Sequence, residues 1–217
     1  VDGAVKKDVD KKVAIEIFDL LEKFAEYGFN KSHSTAYSVI AYQTAWLKTY
    51  YPSEFIAANM SSVINKEDQI IMFINDAKNH GIKVIPPSVN ISRPFFYSNK
   101  KGDIIYGLSA IKNVGTKSAE ILYEYRKKNG KYKTLFDLCE IDSKAVNKKV
   151  LEGIILSGAC DCLEGNRAEK MKSVEIALKY NQKMSKDMNS AQSSLFSADA
   201  GLEIPQPKLI DCDEFSK

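Results

Sequence analysis

Apolar residues recur at three-and-four spacing through the first part of the chain. Val13, Ile17, Phe18, Leu21, Phe24 and Ala25 form one stripe, so residues 9–27 read as an amphipathic helix closed by Gly28. The next stretch differs. From Ser34 to Leu47 no residue is charged, and such a helix is expected to be covered on most sides. Ser32 or Ser34 stands where it can cap the helix start, and Pro52 ends it. Ser53 is expected to cap a further helix through Ile64, and Asn65 another that Gly81 stops.

The period changes after Gly81. Residues 83–90 are extended, because Pro86 and Pro87 exclude helix. Two aromatic and β-branched runs, PFFYS and DIIYGL, flank Asn99-Lys100-Lys101-Gly102 and predict a β-hairpin. Helical patterns return at Thr116 to Lys128, Asn147 to Ser157 and Asn166 to Lys186. From Met188 on, Ser, Asn, Ala and Pro mix without periodicity, which reads as mobile linker. The expected fold is mainly α with a small β-hairpin, in three segments: 1–80, 81–187 and 188–217.

Composition adds bounds. At 217 residues and 44% hydrophobic, the chain can bury a core in one or two domains. No run approaches the ~18 apolar residues of a membrane helix, and the charged opening is not a signal peptide. A cytoplasmic location without a membrane partner is therefore expected. Cys139, Cys160, Cys162 and Cys212 offer one Cys-x-Cys and no nearby His, a pattern of free thiols more than of zinc ligands. The chain opens without Met and turns helical almost at once, as expected of a piece of something longer.

The net charge of +3 matters less than its distribution. Between Lys112 and Lys149 there are ten Lys or Arg against five acids, and beyond Asp187 the sign turns acidic. This fits a nucleic-acid surface followed by a linker, or simply a solvated helical face.

A helix N-terminus presents unpaired N–H groups and the positive end of the dipole, which favours anions. Lys31, His33 and the hydroxyls of Ser32, Ser34 and Thr35 cluster at such a start. Tyr37, four residues after His33, shares its face. The cluster could hold nucleotide phosphates; a capping serine beside a solvated lysine is the plainer alternative. The run YGFNKSHSTAYSVIAYQTAWLKTYYPSEFIAANM resembles the fingers segment of the bacterial DNA polymerase III alpha-subunit family, the replicative family C polymerases. That resemblance implies that Asn30, Lys31, Ser32, His33 and Tyr37 face the incoming deoxynucleoside triphosphate.

YGLSAIKNVGTKSAEIL holds a short helix, a tight turn and a second helix start, the pattern of a helix-hairpin-helix. Gly115 would let the backbone approach a phosphate, with Lys112, Asn113, Thr116 and Lys117 around it. Such contacts position duplex DNA without reading its sequence. A plain helical turn ended by glycine is the alternative. A degraded second copy spans residues 154–161, with Asn166 and Arg167 opening the next helix, and lacks the usual following lysine. Residues 82–170 are similar to the helix-hairpin-helix segment that follows the fingers in the same family.

In AQSSLFS, Gln192, Leu195 and Phe196 resemble the peptide by which polymerases bind the sliding clamp. Apolar side chains of this kind fill a partner's pocket while Gln bonds at its rim. Polymerase chemistry also needs carboxylates holding divalent metals. The family carries these in its palm, and nothing here resembles that domain. The fragment is thus expected to hold no cofactor and to be inactive alone, with Mg2+ in the palm of the parent enzyme. Duplex primer-template DNA, dNTP, the sliding clamp and other replicase subunits are the partners implied. Two other readings stay open: a free-standing helix-hairpin-helix DNA-repair protein, and a helical adaptor module.

Overall fold

The computed structural model describes residues 1–26, 31–141, 145–189 and 205–215, in two compact units, Val1–Tyr50 and Tyr51–Lys217. It bears out a mainly α fold with a small sheet.

The first unit contains α1 (Asp2–Val5), α2 (Lys11–Glu26) and α3 (Lys31–Tyr50). Asp10 Oδ1 accepts from the backbone N–H groups of Lys12 (2.9 Å) and Val13 (3.2 Å), which places a carboxylate at the positive end of α2. The apolar stripe of α2 is largely exposed, Phe24 by 77%. Helix α3, without charge from Ser34 to Leu47, also departs from expectation. None of its residues is buried, and Tyr42 is 71% exposed. Its apolar side chains lie on all sides, and a unit spanning Val1–Tyr50 has too little chain to enclose them. Ser32 and Ser34 fall inside the first turn of α3 instead of preceding it.

The second unit opens with α4 (Pro52–Ser62) and α5 (Glu67–Asn79). Two expected caps move. Pro52 occupies the first turn of α4 and Tyr51 the cap, so Ser53 is inside the helix, its buried hydroxyl 2.8 Å from that of Ser98. Lys66 caps α5 in place of Asn65, with Glu67 and Asp68 favourably placed in the first turn. Ile56, Ala57, Met60, Ile70 and Ala77 pack with Phe96 and Ile104 in one apolar cluster.

The sheet has the order β1 (Val84–Ile85), β3 (Ile104–Ile105), β2 (Tyr97–Ser98). The expected hairpin is β2–β3, antiparallel with Tyr97 opposite Ile105; β1 adds in parallel. Asn99 Oδ1 closes the turn by accepting from the N–H groups of Lys101 and Asp103.

The larger core joins a 3-10 turn at Leu108–Ala110, α6 (Thr116–Asn129), a second 3-10 turn at Phe136–Glu140, α7 (Lys148–Leu156) and α8 (Arg167–Asn189). Asn147 caps α7 through the Val150 N–H, and Asn166 and Glu169 cap α8 reciprocally. Residues 205–215, which composition reads as linker, lie along this body. Gln206 bonds to Asp137, Ile210 N–H donates to Ser173 Oγ at 2.8 Å, and Asn166 Nδ2 donates to the Cys212 carbonyl at 2.8 Å. Among the described residues no helix is long and apolar enough to cross a membrane.

Candidate nucleic-acid interface

The first candidate is the start of α3. Lys31, Ser32, His33 and Tyr37 are all exposed on its opening turns, and the His33 and Tyr37 rings approach to 4.4 Å between centroids. Thr35 Oγ1 donates to the Lys31 carbonyl at 2.8 Å, and Ser38 Oγ to that of Ser34 at 2.8 Å. These hydroxyls therefore donate within the helix. Asn30 lies outside the described residues.

The second candidate is the hairpin between the Leu108–Ala110 turn and α6. Its apolar residues Ile111 and Val114 are buried and root the loop in the core. Lys112, Asn113, Gly115, Thr116 and Lys117 are all exposed, so the seven residues 111–117 divide into buried anchors and an exposed outer face. The turn bends at Asn113, whose φ of 69° is left-handed, a conformation short polar side chains tolerate. Gly115, expected to let the backbone approach a phosphate, is extended at φ −68° and ψ 158°. Its use lies in bulk: a Cβ there would meet nothing within 4 Å, so the surface above it is open. Gly115 occupies the cap of α6, and among the described residues no side chain bonds to the helix start. The first amides of α6 thus point outward beside two lysines, an arrangement suited to a phosphate group.

The second hairpin is built differently. Gly158 turns with φ +80°, and the Arg167 guanidinium lies against it. Arg167 Nε donates to Asp161 Oδ1 at 2.8 Å and Nη2 to Oδ2 at 2.5 Å. These bonds hold the Asp161 carboxyl below its ordinary pKa. Below them the buried Lys170 ammonium donates to the Gly165 carbonyl.

Not every cation of the 112–149 stretch faces outward. Arg126 is turned inward, its two Nη groups donating to the carbonyls of Val89 and Ser92, and burial lowers its pKa. Lys148 pairs with Glu175 at 3.3 Å. Sequence reasoning missed the inward role of Arg126 and the Arg167–Asp161 lock. Both partners of that lock were visible in the sequence, but the pairing depends on how the chain turns at Gly158. Gln192, Leu195 and Phe196 lie outside the described residues.

Comparison with known proteins agrees with this geometry. Residues 81–170 match the helix-hairpin-helix motif family. The chain is 48% identical over 196 residues to the DNA polymerase III subunit alpha of Buchnera aphidicola from Acyrthosiphon pisum, covering 90% of this chain and 17% of that protein. It is 43% identical over 216 residues to the corresponding subunit of Xylella fastidiosa, covering 99% and 18%. For the subunit of Escherichia coli K12 the identity is 41% over 211 residues, covering 97% and 18%. The chain thus spans less than a fifth of the length of these relatives. Over 90% or more of its length the chain is therefore similar to one segment of the bacterial DNA polymerase III alpha subunits.

Proposed function

We propose that this chain serves template-directed DNA synthesis in chromosome replication, as the cytoplasmic segment that receives dNTP, grips duplex primer-template and engages the sliding clamp. Lys112, Asn113, Gly115, Thr116 and Lys117 hold backbone phosphate, and Asn30, Lys31, Ser32, His33 and Tyr37 meet the triphosphate. Gln192, Leu195 and Phe196 bind the clamp. The observation that carries the reading is the uncapped start of α6, open above Gly115 and flanked by exposed Lys112 and Lys117. Cationic groups beside unpaired amides stabilise phosphate charge without reading bases. Nucleotidyl transfer itself belongs to carboxylates and Mg2+ in the palm of the parent enzyme.

The test is duplex binding by the chain across a salt series. Steep weakening as salt rises is expected, the slope falling by about one for each phosphate contact removed. No duplex binding at low salt would overturn the reading in favour of a helical adaptor. Photo-crosslinking of a dNTP analogue at Lys31 separates a polymerase from a repair protein, since only the former needs a triphosphate there. Purified chain should show no metal-dependent primer extension.

A further inference from the structure

We infer that Gly153 is a positioning residue for the phosphate-gripping hairpin, holding the Lys112–Gly115 turn from beneath by the close approach of α7. The inference rests on the reading of that hairpin as the duplex grip. Gly153 lies within α7, where alanine is ordinarily the better helix former and glycine weakens the helix. A local reason for glycine is therefore required. A Cβ at Gly153 would come 2.6 Å from the Lys112 carbonyl oxygen, with Val114 Cγ2 at 3.5 Å and Ile111 Cγ2 at 3.8 Å. The first of these atoms is backbone, so no side-chain rotation relieves it. Either the hairpin turn moves or α7 does.

The neighbouring geometry decides which movement is easier. α7 is fixed by Val150, Leu151, Ile154 and Ile155, all buried in the main core. The turn is rooted by only two core side chains, Ile111 and Val114, and exposes Lys112, Asn113 and Gly115 on its outer side, with open space above Gly115. An added methyl group would therefore push the turn outward and tilt the Thr116 and Lys117 amides away from their aim. Hydrogen bonds from backbone amides need donor–acceptor distances of about 2.7–3.2 Å, so a displacement of several tenths of an ångström spoils them. The second hairpin's first helix thus sets the geometry of the first hairpin without touching the ligand.

The experiment compares wild type, Gly153→Ala, Lys117→Ala and Val174→Ala by anisotropy with a short labelled DNA duplex, below the melting temperature of each. Val174 is buried in α8, which is not part of the hairpin, and controls for lost stability alone. Gly153→Ala is expected to weaken duplex binding by about tenfold and to lower the salt slope by about one, while Val174→Ala binds as wild type. Wild-type affinity in Gly153→Ala, with Lys117→Ala weakened, overturns the inference and leaves the grip intact. Wild-type affinity in Lys117→Ala as well overturns the grip and the inference together. Should Gly153→Ala not fold, hydrogen exchange on wild type decides. Added duplex is then expected to protect the amides of Ile154–Leu156, and unchanged exchange there counts against the inference.

Discussion

At the first hairpin the helix start is left to solvent, with Lys112 and Lys117 beside it; at the second, Arg167 lies over Gly158 and is held there by Asp161. Both hairpins turn through a left-handed residue, Asn113 in one and Gly158 in the other. The difference lies in the charges. Residues 107–117 contain two lysines and no carboxylate, so nothing within that hairpin neutralises them. In residues 157–167 the one arginine meets an aspartate six residues before it. Under the proposed duplex grip, an internal partner here stands in for an external phosphate, and the second hairpin serves packing.

The largest effect should come from Lys112→Ala combined with Lys117→Ala. Charge-assisted hydrogen bonds are worth about 1.5–3 kcal/mol each, so duplex affinity at low salt should fall on the order of a hundredfold. Arg167→Ala, measured alongside, should leave affinity unchanged; equal losses in both would erase the contrast. Next in size is Gly158→Ala. Its left-handed backbone and the overlying Arg167 should together cost about 1–2 kcal/mol in chemical denaturation. Asn113→Gly should stay within about 0.5 kcal/mol of wild type in the same assay.

Asp161→Asn sharpens the comparison from the other side. Releasing Arg167 should raise duplex affinity by about two- to threefold at low salt, an effect that screening removes at high salt. Unchanged affinity would mean that the lock is not what keeps the second hairpin from DNA. The same pair also bears on acid stability. The folded Asp161 pKa is lowered, so the pair's contribution is whole above the ordinary carboxylate value of about 4 and is lost as pH falls through the lowered one. Both side chains are about half exposed, so the step is worth no more than about 1 kcal/mol. A difference titration of wild type against Asp161→Asn reads it.

The helices from α6 onward were legible in the sequence because their periodicity is strong and Asn147 sits where a cap belongs. The hairpin at Asn99–Gly102 was legible for its turn chemistry. What escaped depends on residues far apart in the chain. Ser53 turns to Ser98, forty-five positions away, and the parallel pairing of β1 with β3 leaves no local signature. In the first hairpin the sequence shows a tight turn over Lys112–Gly115, and the structure puts its left-handed residue at Asn113. Glycine is the usual choice for such a bend, but asparagine tolerates it too, and residue type alone does not decide between them. Gly153 gave one local signal, a glycine inside a helical pattern. Its meaning depends on the Lys112 carbonyl above it.

Tyr106 packs against both apolar clusters of the second unit and stacks edge-on against Phe96 at 4.7 Å between centroids. One ring is thus a keystone shared by two arches, and neither cluster can loosen without disturbing the other. The two clusters should accordingly melt in a single transition. The hairpin that begins one residue after this ring would then stay rigid until the whole body gives way.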